Sequence, residues 1–212
     1  ADESTVLLKN ENQLLPLDAK SLKSIAIIGP NADQVQFGDY TWSRNNKDGV
    51  TPLQGIKNRV NKNTAIHYAK GCSLTSLDTS GIAEAVEAAK NSEVAVIFGG
   101  SASAALARDY KSSTCGEGFD LNDLNLTGAQ SQLIREVYRT GTPVILVLVT
   151  GKPFVIEWEK NNLPAILVQW YAGEQAGNSI ADILFGEVVP SGRLTFSFPR
   201  STGHLPVYYN YL

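Results

Sequence analysis

Short, continuous runs of β-branched and aliphatic residues constrain the fold more than any other feature of this sequence. Five of them lie at residues 24–29, 64–69, 94–99, 144–150 and 165–170. Their apolar residues do not alternate with polar ones, which is typical of strands buried on both faces of a sheet. Segments with helical periodicity lie between or after these runs, at residues 51–60, 80–90, 127–139 and 174–185. The pattern predicts an α/β fold, a three-layer sandwich with a mostly parallel sheet of about six strands and helices on both faces.

The ends of the chain and its composition bear on domain organisation. A last strand is expected at residues 193–198, after a Pro- and Gly-containing turn. With 212 residues, of which 43% are hydrophobic, the chain can fill one sizeable core. No Pro-, Gly- or Ser-rich stretch marks a linker, so residues 1–212 are predicted to form a single domain. Trp158 and Trp170 lie in apolar, periodic runs and are expected in its core.

Charge and hydropathy exclude two classes of partner. The formal net charge is -3 and no basic run is present, so the electrostatic signature of nucleic-acid binding is missing. No apolar run reaches the roughly 18 residues that a membrane span needs.

The first residues also lack the basic and apolar regions of a signal peptide. Because position 1 is Ala and the chain has no Met, the gene product is expected to be longer.

Cysteine, histidine and glycine patterns give no support to a metal or a cofactor. Cys72 and Cys115 are too widely spaced for a zinc motif, and they are either two separate thiols or one bridge. His67 lies inside a predicted strand and is interpreted as structural. The turns that begin at Gly29 and Gly99 resemble phosphate-binding turns, but neither fits a dinucleotide or P-loop pattern. Neither a metal site nor a cofactor is therefore expected.

One acidic residue stands out in the second of two long predicted loops, residues 99–125. Glu117 lies between Gly116 and Gly118, after a predicted strand and before a predicted helix. A loop that follows a strand lies at the carboxyl edge of the sheet, where open α/β sheets bind their ligands. The glycines permit a tight turn there. A carboxyl group held there could act as a proton donor. On spacing alone, an ordinary acidic residue in a solvated loop is the better interpretation.

The first long loop, residues 33–49, carries Tyr40, Trp42 and Arg44. An aromatic and cationic cluster of this kind can pack against the flat face of a sugar or a base. A loop anchored by a buried aromatic ring explains the same residues equally well. The sequence is compatible with both interpretations.

Several segments together resemble a known family over almost the whole chain. They read ESTVLLKN at residues 3–10, VTPLQGI at 50–56, WYAGEQAG at 170–177 and IADILFGEVVPSGRL at 180–194. These segments resemble the C-terminal α/β sandwich domain of glycoside hydrolase family 3, which contains β-glucosidases and β-xylosidases. Two departures are Asp120-Leu121, where relatives often have Asp-Arg, and Leu126-Thr127-Gly128, where they have Leu-Pro-Gly.

The resemblance implies a function in which this chain supplies half of an active site. Glu117 would be the general acid/base of a retaining β-glycosidase acting on terminal β-linked glucose or xylose. The nucleophilic Asp would belong to an N-terminal barrel domain, the implied partner, so these 212 residues alone are expected to be inactive. Tyr40, followed by Trp42, would form an aromatic platform for the leaving-group sugar.

The resemblance also implies a periplasmic or secreted location. Two alternatives remain beside the glycosidase. The first is a non-catalytic carbohydrate-binding or interaction module of the same fold. The second is a flavodoxin-like nucleotide-binding domain.

Overall fold

A six-stranded sheet forms the centre of the computed structural model, which describes residues 1–42, 46–103, 114–118, 120–208 and 210. Its strands are β1 (Val6–Asn10), β2 (Ser24–Ile28), β3 (Ala65–Ala69), β4 (Val94–Gly100), β5 (Val144–Val149) and β6 (Ala165–Val168). Their order across the sheet is β1-β6-β5-β4-β2-β3. Strand β1 runs antiparallel to β6, and the other neighbours are parallel. The predicted, mostly parallel sheet is therefore confirmed.

Five α-helices follow or connect the strands within the described residues. They are α1 (Pro52–Arg59), α2 (Ile82–Lys90), α3 (Gln130–Tyr138), α4 (Glu157–Asn162) and α5 (Ala176–Leu184). Helix α1 begins where the sequence predicts, because Thr51 accepts the Gln54 N–H at 3.2 Å and Pro52 occupies the first turn. Helix α4 was not predicted, since six residues are too few to show a helical period.

The core consists of two layers, one on each face of the sheet. Ile145 and Val147 of β5 pack into the layer that contains α1 and α5. Leu146 and Leu148 point the opposite way, into the layer that contains α2 and α3. Every residue of β4 and β5 is buried, which accounts for their continuous apolar sequence. The three-layer α/β sandwich is confirmed.

The strand predicted near the C-terminus is wrong. Residues 193–198, all of which the structure describes, form no strand. The position beside β6 is taken by β1, whose Val6 pairs with Val168. The aromatic residues of the C-terminal segment pack through their rings instead, with Phe196 edge-on to Trp170 at 5.4 Å between ring centroids. The sheet thus has the expected number of strands but a different sixth member.

Two loops leave neighbouring strands at the carboxyl edge of the sheet. The loop that contains Tyr40 follows β2, and the loop that contains Glu117 follows β4. Because β2 and β4 pair directly, the topology brings these loops together. Within the ranges that the structure describes, no helix is both long and apolar enough to cross a membrane.

Candidate active site

The main chain around Glu117 is anchored to the end of β4. The Thr114 N–H donates to the Ala102 carbonyl at 3.0 Å, and Cys115 forms a parallel bridge with Ser103. Beyond this anchor, Gly116 and Gly118 have φ angles of 136° and 71°. Side chains with a Cβ rarely adopt such angles, so the sharp turn at Glu117 requires these glycines.

Tyr40 and Asp39 contact Glu117 from the first long loop. The Tyr40 hydroxyl donates a hydrogen bond to Oε2 of Glu117. Oδ2 of Asp39 accepts the main-chain N–H of Glu117 at 2.7 Å. Tyr40 itself has a φ of 66°, a conformation that is uncommon for residues other than glycine and that is often found at functional sites. Two consecutive residues therefore hold both the backbone and the carboxylate of Glu117.

The aromatic residues of the first loop are exposed. Tyr40 is 81% exposed and Trp42 is 101% exposed, and Glu117 is exposed as well. The interpretation of a loop anchored by a buried ring is therefore wrong for Tyr40 and Trp42. Arg44, the third residue predicted in this cluster, lies outside the described residues. The structure thus joins Tyr40 to Glu117 and leaves Trp42 in solvent.

A polar network beneath this loop joins the ends of several strands. The Tyr171 hydroxyl lies 2.7 Å from the Cys115 sulfur and 2.7 Å from Oγ of Ser101. Ser101 in turn donates to Oγ1 of Thr150 at 3.0 Å. Burial, together with the neighbouring Cys115, raises the pKa of Tyr171, so the phenol is neutral at physiological pH. The network supports the main chain two residues before Glu117.

Lys152 is a buried cation at the same edge of the sheet. Its residue is 7% exposed, and no hydrogen-bond partner for its ammonium occurs in the described part of the chain. The ammonium lies 4.6 Å from the centroid of the Phe154 ring, a cation–π contact. Burial lowers the pKa of Lys152 because the charged form is poorly solvated.

The cysteines, left open by the sequence, are two separate buried thiols. Burial raises the pKa of Cys72 to about 11, so this thiol stays protonated at neutral pH. Among the described residues, no group of three or more His, Cys, Asp or Glu side chains could hold a metal ion.

Two residues of the site, Asp39 and Tyr171, were not predicted from the sequence. Asp39 immediately precedes Tyr40 in a long loop at the carboxyl edge, and this position in the sequence could have identified it as a site residue. Tyr171 lies just after the fifth predicted strand, within a segment that resembles the family.

The fold and the site define a class of protein, an α/β sandwich that carries a glycine-flanked carboxyl group and exposed aromatic rings at the carboxyl edge of its sheet. The sequence model described as "Glycosyl hydrolase family 3 C-terminal domain" matches residues 5–212. A beta-xylosidase of Formosa agariphila is 42% identical over 215 residues, which cover 99% of this chain and 28% of that protein. A periplasmic beta-glucosidase of Salmonella typhimurium is 39% identical, over 100% of this chain and 29% of that protein.

Solved structures agree with these matches. A beta-glucosidase from Listeria innocua, in complex with isofagomine, superposes with a TM-score of 0.85 at 32% identity. The match covers 100% of this chain and 28% of that one. The chain belongs to glycosyl hydrolase family 3, as the C-terminal domain of that family. It spans less than a third of the length of the curated relatives named above.

Proposed function

We propose that residues 1–212 are the C-terminal, catalytic-half domain of a retaining β-glycosidase, with Glu117 as the general acid/base. The observation that carries this proposal is the arrangement of Glu117. It lies between two glycines at the carboxyl edge, and its carboxylate accepts a hydrogen bond from Tyr40. The names of the relatives, beta-xylosidase and beta-glucosidase, support terminal β-linked xylose or glucose as the substrate.

The proposed reaction needs a second carboxyl group about 5 to 5.5 Å from the first. An Asp on an N-terminal barrel domain supplies it and attacks the anomeric carbon. As the bond to that Asp forms, Glu117 donates its proton to the departing glycosidic oxygen. Glu117 then removes a proton from water, which displaces the Asp and releases the sugar with retained configuration.

The residues around Glu117 have proposed roles in binding the leaving group. Tyr40 presents an exposed ring next to Glu117, and Trp42 presents a second one in the same loop. Sugars pack well against such rings, because C–H groups cover one face of the sugar. Arg44 is proposed to donate hydrogen bonds to sugar hydroxyl groups. Since the nucleophile lies on another domain, the 212 residues alone should not hydrolyse glycosides.

Reconstitution with the N-terminal barrel half tests this function. Hydrolysis of aryl β-glucosides and β-xylosides is measured for the chain alone, for the mixture, and for mixtures that contain E117A or D18A. Activity is expected in the mixture only.

E117A should lose about 10²- to 10⁴-fold, the usual contribution of general acid–base catalysis. Azide should restore turnover to E117A as a glycosyl azide, because it displaces the Asp without needing a base. D18A, which removes an exposed carboxylate before β2, should match the wild type.

Two results would contradict the proposal. A mixture that is shown to associate but has no activity would favour the carbohydrate-binding module instead. An active mixture in which E117A keeps full activity would remove Glu117 from the mechanism. Isothermal titration of the associated mixture with xylose and glucose then separates a sugar-binding module from a domain with no sugar site.

The name of the Salmonella typhimurium relative supports a periplasmic or secreted location for the whole protein. Fractionation of the source cells tests this location. Recovery of the protein in the cytosolic fraction alone would contradict it.

A further inference from the structure

We propose that Asp39 is a positioning residue, whose carboxylate fixes the backbone of Glu117 and thereby the place where the Glu117 carboxyl meets the glycosidic oxygen. This inference rests on the proposed function, because positioning matters only if Glu117 is the acid/base. Asp39 and Glu117 are 78 positions apart in sequence, yet Oδ2 of Asp39 accepts the Glu117 N–H at 2.7 Å. An ionised acceptor makes this hydrogen bond stronger than one between neutral groups.

The need for such a contact follows from the glycines. Gly116 and Gly118 leave the backbone on both sides of Glu117 with unusual conformational freedom, because neither has a Cβ. The bond from Tyr40 restrains the end of the Glu117 side chain but not its peptide. The bond to Asp39 restrains the peptide. Together these two contacts define both ends of the Glu117 side chain.

The other oxygen of Asp39 points to a functional role. Oδ1 is buried and has no hydrogen-bond partner within the described residues. A buried acceptor without a partner is costly, and in native proteins such an atom calls for a specific explanation. Tyr40, the next residue, has a left-handed backbone conformation, and its hydroxyl donates a hydrogen bond to Glu117. Both the unpartnered oxygen of Asp39 and the left-handed conformation of Tyr40 cost free energy. We interpret these costs as the consequence of holding Glu117 in place from one short segment.

The consequence for catalysis depends on the leaving group. A general acid must lie within about 2.6 to 3.2 Å of the oxygen that it protonates. A misplacement of about 1 Å can lower the rate roughly 10²-fold. A sugar alcohol needs that proton to depart, whereas 2,4-dinitrophenolate departs without it. Loss of positioning should therefore slow the hydrolysis of disaccharides far more than that of 2,4-dinitrophenyl glycosides.

The test uses the chain assembled with its N-terminal barrel half and compares kcat/KM, which reports on cleavage of the glycosidic bond. Substrates are xylobiose or cellobiose and the matching 2,4-dinitrophenyl glycoside. D39A should lose about 10²-fold on the disaccharide and less than about tenfold on the dinitrophenyl glycoside. D39N should stay within about tenfold of wild type on both, because its amide oxygen can still accept the Glu117 N–H.

D18A is the matched control, since Asp18 also accepts a main-chain N–H, from Lys20 at 2.9 Å, but precedes β2 and so lies at the opposite edge of the sheet. It should behave as wild type. Equal losses of D39A on both substrates would show a purely structural role and overturn the proposal. A wild-type disaccharide rate in D39A would overturn it too, as would a D39N variant as impaired as D39A.

E117A distinguishes this inference from the proposed function. If E117A retains activity, the proposed function fails, whatever D39A does. If E117A is inactive and D39A is unaffected, only the role of Asp39 is wrong.

Discussion

Among single residues at the carboxyl edge, Lys152 carries the clearest energetic cost. Its ammonium is buried without a hydrogen-bond partner in the described part of the chain, and the ring of Phe154 and the negative charge of Asp123 offset part of this cost. A buried charge without a close counter-ion destabilises a fold, and replacing it with an apolar side chain of similar length is often neutral or stabilising.

Replacing Lys152 with Met should therefore leave the free energy of unfolding at pH 7 equal to or above that of the wild type. Burial lowers the pKa of Lys152 in the folded state. Between this lowered pKa and the ordinary value of about 10.4, the unfolded chain binds more protons, so wild-type stability rises with pH. The advantage of K152M should thus be largest below the folded-state pKa and should shrink as the pH rises towards the ordinary value.

Urea unfolding at several pH values between 7 and 10 measures this difference. K62M, at an exposed lysine, corrects for the general loss of one positive charge. A K152M variant that is less stable than wild type at pH 7, by an amount that shrinks as the pH rises, would show that the cation–π contact outweighs the cost of burial.

Helices α1 and α5 pack closely against each other. They cross at Gly55 and Gly177, and a Cβ on Gly177 would lie 2.0 Å from the Thr51 carbonyl oxygen. A backbone atom cannot move aside as a flexible side chain can, so G177A must separate the helices. We expect a loss of about 1 to 3 kcal/mol in the free energy of unfolding, measured with urea.

G203A is the control for that substitution. A Cβ on Gly203 has nothing within 4 Å, so this variant should have the stability of the wild type. Similar stability of G177A and wild type would mean that the two helices can move apart without cost.

Burial determines which strands and helices could be predicted from the sequence. Strands β4 and β5 are buried on both faces, and their unbroken apolar runs identify them. Strand β1 buries Val6 alone and leaves its other residues partly or fully exposed, so it shows neither a continuous nor an alternating pattern. The aromatic segment at residues 193–198 has a strand-like sequence, but side-chain packing explains it instead. Periodicity predicts an element well only where the protein core imposes it.

The tertiary arrangement of the site could be predicted from the sequence only in part. The sequence placed the loops of Tyr40 and Glu117 at one edge, because both follow strands of a parallel sheet. It could not show that β2 and β4 are neighbours, since strand order depends on tertiary packing. The contacts of Glu117 with Asp39 and Tyr40 join residues 78 and 77 positions apart, and no local pattern encodes them.

Exposure of the aromatic residues also leads to a prediction for the assembled protein. Trp42 is 101% exposed, whereas Trp158 and Trp170 pack partly against the core. Tyr40 is exposed in the same loop, and clustered exposed apolar side chains mark surfaces that bind a partner or a ligand. If the barrel half docks at this edge, acrylamide should quench tryptophan fluorescence less in the assembled protein than in the separate halves. The difference should be smaller with W42F, which leaves the other tryptophans of both halves in place. Equal protection of wild type and W42F would place the interface elsewhere on the domain.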